Sequence, residues 1–304
     1  MLLPVRPIVL ALVLASVPFA HAAETFQTVS QGEAILLRDA DGKEVLAYQR
    51  SKPADSLLAV ESGCYAHPFR TPKGFVVTDV APSDHLHHRG IFLAWVEMHG
   101  DVDADFWGWG EHAPIKGRAI RNRAWKPRTN GFEAANDWMA GDTRVIEENL
   151  TASLTRDGNA HVLDLDYRLK PQFDITVSQW AFSGFCVRSR KDVPGRMFDP
   201  DGPVKLPAPS HLEPSSDWPD RSWYALHFET PEGGAGVAVI PHRDNPPALW
   251  HNHPDLRMLN PATCAPGPMQ LKSGTVVTLR YRVVAYDGPL DRDHLSTLSR
   301  GFQP

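Results

Sequence analysis

Apolar and polar residues alternate along most of this chain, turn-forming residues return at short intervals, and sustained helical periodicity is nearly absent. A strand shows successive side chains to opposite faces, so this pattern commits the chain to sheets with one face buried. Strands are expected over 34–38 and 44–48, joined by the turn Asp39-Ala40-Asp41-Gly42, and again over 75–80, 91–98 and 132–139. The segments 143–155 and 161–170 make the clearest hairpin, because Asp157-Gly158-Asn159 supplies residues that tolerate positive φ. Later strands are expected over 182–188, 223–230, 236–241 and 274–286, and only 290–301 carries a helical pattern. About a dozen strands without alternating helices predict an all-β fold, a large antiparallel β-sandwich of two stacked sheets in a single domain. The segment 191–219 holds seven prolines and little periodicity. It reads as a long Pro-rich insertion over a sheet edge or cleft.

At the N-terminus, Arg6 precedes an apolar stretch over 8–20, and Ala20-His21-Ala22 has the small-x-small form that signal peptidase reads. Residues 1–22 are therefore expected to be a signal peptide, 23–304 the β domain, and the location periplasmic or secreted. No later run reaches the roughly 18 uncharged apolar residues of a spanning helix, so no membrane span is expected. Lys and Arg, 31 against 36 acidic residues, are scattered instead of clustered. That distribution argues against nucleic acid or anionic lipid and leaves a small-molecule or oligosaccharide substrate as the expected partner. No Gly-rich phosphate loop and no Gly-x-Ser-x-Gly elbow occurs. Three cysteines, Cys64, Cys186 and Cys264, permit at most one disulfide.

The densest chemistry lies in Asp84-His85-Leu86-His87-His88-Arg89-Gly90. So many titratable groups are costly to bury without partners, which points to a polar cleft. On extended backbone His85 and His87 would project to one side roughly 6 to 7 Å apart, with His88 on the other face. Such a pair suits a bound ligand, or a metal if His242, His251, His253 or Glu97 supplies a third donor. Alternatively, Asp84 and Arg89 pair with the imidazoles and fix a turn. No metal ligand set is assigned, and the cofactor is left unknown. Asp105-Phe106-Trp107-Gly108-Trp109-Gly110 adds a carboxylate and two indoles framed by glycine, suited to stacking on a sugar ring. Trp250-His251-Asn252-His253 repeats the same-side histidine spacing near His242 and Asn245, and this loop is expected to meet the 84–90 segment.

Taken in order, Tyr65-Ala66-His67-Pro68-Phe69-Arg70-Thr71-Pro72-Lys73-Gly74, the 84–90 segment, Asp105-Phe106-Trp107 and Ile240 through Trp250-His251 resemble the PmoA-like family of exported bacterial proteins. The resemblance spans most of the mature chain and implies a shared fold and pocket. It does not imply methane oxidation, because the membrane subunit of that name consists of spanning helices and this chain has none after its signal. Sandwiches of this size also resemble the galactose-mutarotase-like supersandwich used for sugars, an analogy of fold alone. The combined expectation is an exported carbohydrate-active protein. His85, His87, His88 and Asp105 would be catalytic by acid/base chemistry. Arg89, Trp107, Arg70, His67, Asn245, Trp250, His251 and His242 would bind substrate. The alternatives are a noncatalytic glycan-binding protein and, last, a metal-dependent oxygenase.

Overall fold

A computed structural model describes residues 24–109, 117–209 and 218–303; the expected signal peptide lies outside the described residues. Six strands come first: β1 (Gln27–Gln31), β2 (Ala34–Arg38), β3 (Glu44–Gln49), β4 (Tyr65–Phe69), β5 (Ile91–Ala94) and β6 (Met98–His99). Four long strands follow, β7 (Arg118–Arg128), β8 (Gly131–Ala140), β9 (Thr143–Asp157) and β10 (Ala160–Pro171). Next come β11 (Ile175–Val177), β12 (Gly184–Arg188), β13 (Gly195–Asp199), β14 (Gly202–Pro203), β15 (Tyr224–Phe228) and β16 (Ala235–Pro241). The chain closes with β17 (Leu249–Trp250), β18 (Met258–Leu259), β19 (Pro261–Ala262), β20 (Met269–Leu271), β21 (Val277–Asp287) and helix α1 (Arg292–Phe302). The fold is all-β in its sheets, as the alternation predicts, with α1 where the helical pattern lies.

Two large sheets carry the architecture: a seven-stranded one, β1-β2-β3-β4-β5-β12-β18, and a nine-stranded one, β14-β13-β15-β16-β21-β10-β9-β8-β7. Their strand pairs are antiparallel. The sheets face each other across one apolar core, where Phe185 stacks on Tyr281 at 3.9 Å and Trp95 meets Trp138 at 5.5 Å. Sheet-on-sheet packing follows from alternation, since each strand has one apolar face to hide. The other face of the nine-stranded sheet buries a smaller cluster, including Trp223, Ile240 and Val284, together with Leu295 of α1. Asp291 caps α1, its side chain accepting the amide of His294.

One carboxyl group is buried in the core with hydrogen-bond donors on both oxygens. Glu148 accepts from Trp138 Nε1 and from Asn136 Nδ2, both at 2.7 Å, and Asn136 also donates to the Tyr48 hydroxyl at 2.8 Å. Burial raises the Glu148 pKa against the pull of those two donors.

Several elements depart from the expectation. Residues 75–80 form only isolated bridges, Val76 with Arg70, Thr78 with Ser189 and Val80 with Arg89. The 91–98 run splits between β5 in the seven-stranded sheet and β6 in a separate three-stranded one. Strand β7 escaped the alternation test because, as an edge strand, it buries only Ala119 and Ile120. The Pro-rich 191–219 segment is not purely an excursion: β13 and β14 within it extend the nine-stranded sheet, β13 pairing with β15. Cys64, Cys186 and Cys264 are all free and buried thiols. Among the described residues no helix is long and apolar enough to cross a membrane.

Candidate functional site

The 84–90 segment is not extended. His85 donates its amide to Pro82 O at 2.9 Å and His88 donates to His85 O at 3.0 Å, so two tight turns wind the chain. Winding brings all three imidazoles together, which corrects the expectation that His88 faces away. His85 and His88 stack at 4.8 Å, His87 meets His88 edge-on at 4.5 Å, and His85 and His87 lie 5.5 Å apart. Two glycines permit the close packing. Gly90 has φ +62° and a Cβ there would fall 2.3 Å from Ala66 O; Gly108 has φ +94° and a Cβ would fall 2.4 Å from Val60 Cγ1.

Asp105 holds the second segment. Its carboxylate accepts from the amides of Gly108 (2.7 Å) and Trp109 (3.1 Å), closing the loop that carries both indoles. Burial pushes its pKa up to about 7 while those amides pull it down. With each oxygen accepting an amide, Asp105 fixes this loop. Trp109 lies parallel to His85, 6.0 Å away at 7°. Trp107 is buried against Phe92, Phe182 and His88 instead of standing open to a sugar.

Arg89 also differs from expectation. It is fully buried, donating to Phe106 O at 2.9 Å and His87 O at 3.2 Å with its guanidinium over Phe92. It ties the two motif segments together from beneath and offers no face to a substrate. The arginine that sequence reasoning missed is Arg188 on β12, also fully buried. It donates to Asp84 at 2.7 Å and to His88 Nδ1 at 3.2 Å, and Lys191 donates to the other Asp84 oxygen at 2.7 Å. A guanidinium only donates, so His88 Nδ1 is an acceptor and its proton sits on Nε2. The signal was present: a charge ending an apolar strand must find partners.

Burial pushes His87 down to about 3 and lowers His88 well below the ordinary imidazole value, each reinforced by neighbouring imidazoles and arginines. Both rings are neutral at neutral pH. His87 Nε2 and Trp107 Nε1 are buried with no hydrogen-bond partner among the described residues. His85, His88, Trp107, Trp109, Phe182 and His251 line a hollow of about 10 Å³. That is room for one water-sized group.

The remaining expected residues divide. His251 reaches the hollow, 5.5 Å from Phe182. His242, Asn245 and Trp250 do not; they line a separate cleft. Asn245 clamps the backbone of Arg280, donating to its carbonyl and accepting from its amide, both at 2.8 Å. His67 bonds Thr78 Oγ1 at 3.0 Å and Arg70 pairs with Glu44 at 3.7 Å; neither lines the hollow, so their expected substrate contact there is not found. Of the suggested third metal donors, Glu97 is engaged by His99 and Trp180, each at 3.0 Å, and His253 Nδ1 accepts from the Leu256 amide. Among the described residues no three His, Cys, Asp or Glu side chains are grouped so as to hold a metal ion.

The fold and these groups define an antiparallel β-sandwich with a small imidazole–indole hollow. The chain belongs to the family described as a family of unknown function (DUF6807), whose model matches residues 37–300. That match overturns the PmoA-like resemblance, and the oxygenase reading drawn from that label loses its basis. No curated protein matches the chain. Among solved structures, the chain is similar to the galactosidase domain of an alpha-galactosidase-sucrose kinase, AgaSK, at 11% identity and TM-score 0.40, covering 88% of this chain and 40% of that one. It is similar to the GH36 alpha-galactosidase AgaA from Geobacillus stearothermophilus at 10% and 0.35, covering 86% and 40%. A galactose mutarotase related enzyme from Lactobacillus acidophilus matches at 7% and 0.39, covering 86% and 97%. The chain thus spans 40% of the galactosidase chains it matches.

Proposed function

We propose that this is an exported carbohydrate-active protein whose hollow receives one hydroxyl of a saccharide, while the sugar ring rests on the rim beside His85 and Trp109. The carrying observation is the Trp107 indole N–H: it lines a space of one oxygen's size and has no acceptor among the described residues. A buried donor left unmade costs roughly 1–3 kcal/mol, which an incoming hydroxyl oxygen recovers. His88 supports the reading, because Arg188 holds its proton on Nε2, so its other nitrogen is a donor as well.

His85 is the group that exchanges a proton with the ligand. It is the most open of the three imidazoles, and its Nδ1 lies 3.7 Å from the Asp84 carboxylate. His87 and His88 stay neutral and shape the site. Export rests on residues 1–22 and is checked by N-terminal sequencing of the mature protein.

A panel of mono- and oligosaccharides, followed by binding titration and product analysis, tests the proposal. Trp109→Ala should weaken at least tenfold the binding that perturbs the His85 and His88 ring signals, and His85→Gln should abolish turnover with binding retained. Binding without any product in the wild type would make the protein a noncatalytic glycan binder. Absence of saccharide binding altogether would overturn the proposal.

A further inference from the structure

A roomier cleft opens where the end of β16 and the middle of β21 meet the β17–β19 ribbon, with a volume of about 490 Å³. Ligand pockets commonly run about 300–1,000 Å³, so this one admits one or two sugar rings. Its lining includes Trp250, Thr263, Tyr281, His242, Arg221 and Arg243. Tyr281 is fully buried and its ring is stacked on Phe185, yet its hydroxyl has no hydrogen-bond partner among the described residues. The Thr263 hydroxyl, on a residue only 3% exposed, is in the same condition. Two such hydroxyls on one cleft call for a partner from outside the chain.

Charge decides the kind of partner. Arg221 is matched by Asp199 at 3.2 Å and Asp201 at 2.8 Å, and Arg243 lies 3.9 Å from Asp244. His242 accepts the Asp244 amide on Nδ1, and burial lowers its pKa, so it is neutral. No cation on the lining is left without a carboxylate to call for an anionic ligand. Hydroxyl groups both donate and accept, which matches the hydroxyls of an uncharged ligand, and Trp250 supplies an indole.

We propose that this cleft is a second binding site, for a neutral saccharide or polyol, separate from the imidazole hollow. The ribbon divides the two sites: successive residues Trp250 and His251 line the cleft and the hollow respectively. Separation makes the two assignments independent, so either can fail alone.

The test titrates glucose, galactose, maltose and lactose into Trp109→Ala, which removes the rim of the hollow, and into the double variant Trp109→Ala/Tyr281→Phe, with the ligand-free melting temperatures of the wild type and of Tyr281→Phe recorded. Saturable binding should persist in Trp109→Ala and fall at least tenfold in the double variant, and Tyr281→Phe should melt no lower than wild type. Any of three results would overturn the proposal. One is no saturable binding in Trp109→Ala. Another is equal binding in Trp109→Ala and the double variant. The third is a lower melting temperature for Tyr281→Phe, which would mean that its hydroxyl is already satisfied by trapped water.

Discussion

Arg188 fixes the protonation pattern of a residue a hundred positions away. Its guanidinium donates to His88 Nδ1 and to the Asp84 carboxylate, which it shares with Lys191, so the buried cation is not left without a counter-charge. Burial alone would raise Asp84, but the Lys191 hydrogen bond and the two cations together hold it below the ordinary carboxylate value. The expected outcome is that the ligand-free protein carries His88 as the Nε2–H tautomer, read from the ring nitrogen shifts in two-bond proton–nitrogen correlation spectra. A proton on Nδ1 would contradict the geometry. The sequence showed which residues could do chemistry here and not which way each would face. Arg89 stands in the motif and turns inward, while Arg188, outside every motif, is the arginine that meets an imidazole.

At the scale of elements, the 84–90 segment illustrates why spacing misled. Extended geometry was the natural reading of a chain rich in strands, and it set His85 and His87 apart from His88. The structure instead has turns at Pro82–His85 and His85–His88, and Gly90 at φ +62° returns the chain against β4. Gly90→Ala would place a methyl 2.3 Å from Ala66 O and 2.9 Å from His67 Cβ in an unfavourable backbone conformation. It should destabilise the fold by about 1–3 kcal/mol, seen as a lower urea midpoint at unchanged slope. An unchanged midpoint would show that the turn is not held as described. Elements with local causes were legible. The 39–42 turn forms around Asp39, whose carboxylate accepts from Asp41 and Lys43, and Gly158-Asn159 joins β9 to β10. Elements defined by partners, such as β7 at a sheet edge and β13 inside the proline-rich stretch, were not.

For the molecule as a whole, buried imidazoles set the response to acid. Burial holds His67 at about 4 and His87 at about 3, with His88 well below its ordinary value. Between pH 6.5 and those values the unfolded chain binds more protons than the native one, so stability falls as pH falls. Asp105, raised to about 7, works oppositely: from pH 7 down to about 4 the native state holds the extra proton, and its contribution grows on acidification. The melting temperature of His87→Gln should therefore decline less steeply than wild type from pH 6.5 to 4, and that of Asp105→Asn more steeply. Parallel slopes for His87→Gln and wild type would sink this account.

Alternation, turn chemistry and a single helical stretch were enough to establish sheets, hairpins and a terminal helix, because each depends on residues within a few positions of one another. Cavity membership was decided only by tertiary structure. Trp250 and His251 are neighbours in the chain and line different cavities, while Asp84 and Arg188, 104 residues apart, share a hydrogen bond. A period-2 pattern tells which side of a strand a residue occupies. What lies on that side is set by the pairing of distant strands and the closing of two sheets over one core, and those contacts are not written in any local stretch of sequence.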